Sequence, residues 1–213
     1  MGQKAVNFQV KGLNFEGVVA EPDDLTDLIP GVVICHPGPL NGGNMDNNVV
    51  LAVSYTLVER GFAVMRFNFR GVGNSEGEHS RGELEHQEAL GALEFLKNWQ
   101  GVNEGELGLA GYSFGNGVIL GNAELQKQSR AFALISPSPQ ALQNTCLKSD
   151  PRPKFIITGE MDRLACSPEF QPILESFSPR PTCQVVDGAD HFWVGREDEV
   201  SGPVSQFFSE NLM

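Results

Sequence analysis

The spacing of apolar residues changes period several times along the chain, and each change marks a new element. Val6–Val10 and Asn14–Val19 are short extended runs on either side of Lys11-Gly12, the pattern of an opening hairpin. After Pro30 the run Gly31-Val-Val-Ile-Cys35 is continuously apolar, which suits a strand buried on both faces. Asn47–Arg60 predicts a helix, with Gly61 as its C-terminal stop. Phe62–Phe67 predicts another strand. Glu83–Trp99 sets Ala89, Leu93 and Leu96 on one helical face, leaving an acidic outer side. A short strand at Glu106–Ala110, a helix at Asn116–Gln126 and strands at Ala131–Ile135 and Phe155–Thr158 follow. Pro168–Phe177 is expected to be helical, Cys183–Val186 a strand and Val200–Asn211 a closing helix.

Strands that alternate with helices pair in parallel through right-handed crossovers. The expected fold class is therefore α/β, a mostly parallel sheet of about seven to eight strands with helices on both faces. No internal repeat or linker interrupts the pattern, so residues 1–213 are expected to form a single domain.

Composition narrows the function classes. The chain is 40% hydrophobic and 20% charged, enough to build a core and unlike a disordered segment. Its net charge is −12, and its lysines and arginines form no cluster. Nucleic acid and anionic membranes are poor partners for such a chain. No apolar run approaches the roughly 20 residues that span a bilayer. Met1–Val6 lacks the apolar segment of a signal peptide, and Val6 stands where a myristoylation motif needs Ser or Thr, so a cytoplasmic location is expected. Cys35, Cys146, Cys166 and Cys183 form no CxxC pair, which supports neither a zinc site nor a disulfide framework.

The pentapeptide G-x-S-x-G occurs twice, at Gly73–Gly77 and Gly111–Gly115. A nucleophile elbow needs a strand, a sharp turn and then a helix, with glycines where neighbouring backbone crowds the serine. Ser113 has a strand before it and a helical pattern after it, in which Gly117 and Gly121 would allow close packing on the sheet. Ser75 has neither, since its strand ends near Phe69 and a polar stretch follows. A dinucleotide-binding reading of Gly71-Val-Gly73 fails because Glu76 occupies the third glycine position.

A serine nucleophile needs a base, and in the order Ser…Asp/Glu…His only His191 lies downstream of Ser113. His79, His86 and the glutamates around them are expected to form a solvated acidic helix face, not a metal cluster. For the acid, Asp162 after the Phe155–Thr158 strand is preferred, with Glu160, Asp187 and Asp190 as alternatives. Two backbone N–H groups must hold an oxyanion. Phe114, next to the serine, and Gly38, between Pro37 and Pro39, are the candidates, although the Pro-flanked loop could also serve packing alone.

These residues resemble the α/β-hydrolase superfamily over essentially the whole chain, and most of all its small lidless, dienelactone-hydrolase-like bacterial members. Beyond the elbow, the likeness rests on His36-Pro37-Gly38-Pro39 with Gly42-Gly43, on Asn68-Phe-Arg-Gly-Val-Gly-Asn-Ser75, and on Gly159-Glu-Met-Asp162 followed by Asp190-His191. Asn68 stands where the family usually has Asp, and Gly38 where a second His is common. The resemblance implies that the Ser75 block is a structural turn beside the active site. It also implies a serine hydrolase of carboxylic esters, thioesters or lactones, working on a small-molecule substrate without metal or organic cofactor. The competing class is a non-catalytic hydrolase-like protein that binds a ligand or partner. About 17 residues separate Ser136 from Lys154, too few for a cap domain, so an open cleft is expected and a lidded lipase is not. Phe207 and Phe208 in the closing helix suit packing on their own sheet or on a second copy, which leaves a homo-oligomer open.

Overall fold

The computed structural model describes residues 1–23, 27–163 and 168–213. Strands β1 (Gly2–Val10) and β2 (Leu13–Glu21) form the hairpin, turning through Lys11 and Gly12, both at positive φ. Two consecutive residues at positive φ match the right-handed twist of the flanking strands. The chain continues through β3 (Ile29–Cys35), α1 (Asn48–Glu59), β4 (Ala63–Phe67), α2 (His86–Lys97) and β5 (Val102–Tyr112). After these come α3 (Phe114–Leu120), α4 (Ala123–Lys127), β6 (Ala131–Ile135), α5 (Pro139–Gln143) and β7 (Lys154–Gly159). Helix α6 (Phe170–Glu175), β8 (Thr182–Val186) and α7 (Glu197–Leu212) complete the order.

The eight strands make one sheet in the order β1-β2-β4-β3-β5-β6-β7-β8. β1, β2 and β4 pair antiparallel, and every pairing from β4 through β3 to β8 is parallel. Alternate residues along the central strands point to opposite faces. Val33 and Cys35 join the core under α2 to α6, while Val32 and Ile34 join the core under α1 and α7. The centre of the sheet is thus covered on both sides, which explains why β3 and β6 are apolar without alternation.

Two expectations change, and of the two packings open to Phe207 and Phe208 one is observed. The helix expected over Asn116–Gln126 is two helices, because Asn122 caps a new one by accepting a hydrogen bond from the Leu125 N–H at 2.8 Å. The strand expected at Glu106–Ala110 starts at Val102 and runs to Tyr112. Phe207 and Phe208 pack on their own sheet, with Phe207 stacked on Phe155 and Phe208 against Phe62. Cys166 lies outside the described residues. The connection from β6 to β7 carries α5 and a single 3-10 turn, Cys146–Ser149.

In the sheet order, β3 and β5 are neighbours although β4 comes between them in the chain, so the direction of strand addition reverses at β3. Crevices for ligands open at such reversals, outside the carboxyl ends of the strands. The loop after β3 and the turn after β5 therefore face one another.

Candidate active site

Ser113 sits in the turn between β5 and α3 at φ 52 and ψ −111, a strained conformation for a residue with a side chain. Its surroundings over-determine that turn. The Ser113 N–H donates to the Ile135 carbonyl on β6 at 3.0 Å, and the Asn116 N–H donates to the Ser113 carbonyl at 3.1 Å. The Asn116 side chain, missed in the sequence, donates to the same Ile135 carbonyl at 2.6 Å. A Cβ at Gly115 would lie 2.1 Å from the Cys35 carbonyl oxygen, and one at Gly111 would lie 2.7 Å from Asn116 Oδ1. Both flanking positions are glycine because backbone and side chain fill that space. Gly117 and Gly121 do not play the packing role expected of them: Gly117 borders the cleft with nothing near its missing Cβ, and Gly121 meets only the Gly117 carbonyl of its own helix.

Ser113 Oγ lies 2.9 Å from His191 Nε2, and His191 Nδ1 lies 2.8 Å from Asp162 Oδ2. A carboxylate can only accept, so Nδ1 donates to Asp162 and Nε2 accepts from the Ser113 hydroxyl. Asp162 follows β7 and is fully buried. The loop carrying His191 follows β8 and is pinned from several sides. The Asp190 carboxylate accepts from the Phe192 and Trp193 N–H groups. Trp193 is fully buried and donates to Ser136 Oγ at 3.2 Å. The Tyr112 hydroxyl donates to the His191 carbonyl at 2.6 Å. Tyr112 is the variable residue of G-x-S-x-G, so nothing in the motif marks it. Burial raises its phenol pKa, helped by the nearby Asp162 and Asp190 charges. The other acids considered lie elsewhere, with Glu160 accepting from the Gly188 N–H and Asp187 exposed.

The loop after β3 comes against the elbow. A Cβ at Gly38 would be 3.8 Å from Phe114 Cβ, an ordinary contact, and both residues border the cleft with Ser113 and His191. Phe114 is the first residue of α3, where an N–H has no carbonyl one turn earlier in the helix to bond. His36 anchors this loop. Its Nε2 accepts from the Phe69 N–H at 3.1 Å and its Nδ1 donates to the Pro37 carbonyl at 2.7 Å. Burial lowers the His36 pKa to about 4, keeping the ring neutral.

The Ser75 pentapeptide is structural. Ser75 Oγ donates to the Asn68 carbonyl at 2.8 Å and accepts from the Glu16 N–H at 3.2 Å. Asn68 joins two segments by accepting from the Met45 N–H and donating to Glu16. The acidic helix face is a correction. Glu85 and Glu88 are both fully buried, not solvated. Glu88 forms an ion pair with the buried Arg70 at 2.7 Å, and Glu85 accepts from the loop before α2. Both lie on the same helical face as Ala89, Leu93 and Leu96, at its first turn, whereas Glu83 and Glu94 are exposed as expected. Among the described residues no group of His, Cys, Asp and Glu is placed to hold a metal.

A family model for alpha/beta hydrolase domains matches residues 31–203. The chain belongs to the alpha/beta-hydrolase superfamily. An alpha-beta serine hydrolase homologue of Coxiella burnetii is 28% identical, with a TM-score of 0.84 over 97% of each chain. A protein of unknown function from Agrobacterium tumefaciens is 28% identical, with a TM-score of 0.85 over 97% of this chain and 95% of that one. The fold is also that of a serine hydrolase without a lid from Xanthomonas campestris, 24% identical at a TM-score of 0.84, covering 99% and 95% of the two chains. An uncharacterized protein of Rickettsia prowazekii is 29% identical over 186 residues, 84% of this chain and 78% of its own. Membership supports a hydrolase. No helix of the described residues is long and apolar enough to cross a membrane.

Proposed function

We propose that this protein is a serine hydrolase of carboxylic esters, using Ser113, His191 and Asp162 as a triad. The observation that carries this reading is the unbroken relay of 2.9 Å and 2.8 Å from Ser113 through His191 to Asp162. Ser113 Oγ attacks the ester carbonyl carbon while its proton passes to His191 Nε2. The tetrahedral oxyanion is held by the Phe114 and Gly38 N–H groups. As the intermediate collapses, His191 returns the proton to the departing alkoxide, leaving an acyl group on Ser113. Water then repeats the sequence, giving its proton to His191 and releasing the acid. Asp162 keeps the ring oriented and stabilises the imidazolium. Thioesters and lactones call on the same machinery, and simple carboxylic esters rank first. The substrate is a small molecule, and residues 1–213 act as one domain in the cytoplasm.

The test uses a fluorophosphonate probe and short p-nitrophenyl esters. One adduct on the intact protein, lost in Ser113→Ala and kept in Ser75→Ala together with turnover, is the expected result. An adduct that survives Ser113→Ala and disappears in Ser75→Ala overturns the assignment. Absence of both labelling and turnover favours a ligand-binding protein of hydrolase fold.

A further inference from the structure

The cleft around Ser113 has a volume of about 750 Å³, and the apolar side chains at its surface are Leu40 and Phe114. The rest of the lining is polar or glycine, including Asn41, His79, Ser138 and Gln140. A site for long alkyl chains is lined mainly by apolar groups. This one is not. Arg81 and Glu83 bring one charge of each sign to the lining.

One wall is held by a device that the ester chemistry does not use. Glu85 is fully buried and accepts from the Ser80 N–H at 2.7 Å, the Gly82 N–H at 2.8 Å and the Ser80 hydroxyl. Burial opposes its charge, but these hydrogen bonds prevail and hold the carboxyl below the usual carboxylate range. A buried carboxylate is unfavourable unless so compensated. Here it fixes a loop in which Arg81 at φ 59 and Gly82 at φ 98 are both left-handed. It also fixes His79, whose Nδ1 lies 2.9 Å from Glu85 Oε1. That approach lacks hydrogen-bond alignment, so Glu85 sets the position of the ring by close contact. With Nδ1 buried against Glu85, the cleft meets the other side of the ring, where Nε2 lies. The ring packs against Phe114 at 5.3 Å between centroids, directly beside the elbow.

We infer that the cleft takes acyl groups bearing a hydroxyl near the carbonyl, with His79 as the specificity-determining residue and Glu85 as its positioning residue. This rests on the serine-hydrolase reading. The leaving oxygen must face His191 Nε2 to receive its proton, which leaves the His79 wall to the acyl group. A hydroxyl both donates and accepts, so it pairs with His79 Nε2 whether or not that atom carries a proton. Asn41, Ser138 and Gln140 in the same lining present further donors and acceptors.

The experiment compares kcat/KM for p-nitrophenyl 3-hydroxybutyrate and p-nitrophenyl butyrate on the same protein. The ratio cancels any loss of folded enzyme, so it stays interpretable in variants. The intact protein is expected to prefer the hydroxy ester by about tenfold, the value of one good hydrogen bond. His79→Phe and His79→Ala bring the ratio to about one, and Glu85→Gln lowers it partway, through KM more than kcat. A ratio at or below one in the intact protein, or one that survives both His79 variants, overturns the inference while leaving the hydrolase reading in place. Failure to cleave either ester, with no adduct on Ser113, overturns both.

Discussion

Protonating His36 would invert a hydrogen bond at the base of the loop that carries Gly38. The neutral ring accepts from the Phe69 N–H and donates to the Pro37 carbonyl, and it is fully buried. Burial is the main reason its pKa falls from 6.5 to about 4, with the Pro37 hydrogen bond opposing in part. Between those values the unfolded chain binds the proton and the native protein does not. The contribution to stability is therefore fully present above pH 6.5 and is lost as pH falls through about 4. At 1.36 kcal/mol per pKa unit, the loss from pH 7.5 to pH 4.5 comes to about 2.5 kcal/mol for this one residue. Urea unfolding followed by the fluorescence of Trp99 and Trp193, in the protein and in His36→Gln, isolates it. Glutamine can accept and donate in the same directions without titrating. The native protein should lose about 2.5 kcal/mol more than the variant over this interval. Equal losses in the two proteins refute the reasoning.

Other substitutions probe the remaining supports. Asp162→Asn should lower kcat by on the order of 10⁴-fold, by favouring the wrong imidazole tautomer, with little change in KM for p-nitrophenyl butyrate. Tyr112→Phe removes the hydroxyl that ties the elbow to the His191 carbonyl. It should cost about 1–2 kcal/mol in urea unfolding and lower kcat more than KM. Gly115→Ala places a Cβ 2.1 Å from the Cys35 carbonyl oxygen and should destabilise by about 2 kcal/mol or more in thermal melts. Gly117→Ala, where nothing lies within 4 Å, should instead stabilise by about 0.5–1 kcal/mol.

The hydrophobic pattern located the central strands because a doubly covered sheet demands unbroken apolar runs there, as at Val32–Cys35. The exposed hairpin strand β1 was legible from its pairing with β2 around Lys11-Gly12. Helix ends were less legible. The break at Gly121–Asn122 depends on an Asn122 side chain that could equally have faced solvent in a continuous helix. The order of Ser113, Asp162 and His191 already suggested their convergence, since parallel strands present their carboxyl ends on one side. Their separations of 2.9 Å and 2.8 Å could not be read in that way. They depend on β5, β6, β7 and β8 lying in sequence order across the sheet and on Trp193 and Tyr112 pinning the last loop.

Glu85 marks the boundary between the two kinds of information. In the chain it is one acid among several beside His79 and His86, and its charge points to solvent. In the fold, the loop ahead of α2 closes over it and supplies two N–H groups and a hydroxyl. Local pattern carries the period of an element because that period follows from backbone geometry. Burial of a charge depends on tertiary placement: Ser80 and Gly82 lie within five residues of Glu85, but their loop is seated where His79 packs on Phe114 of the elbow, and Glu88 meets Arg70 from 18 positions away.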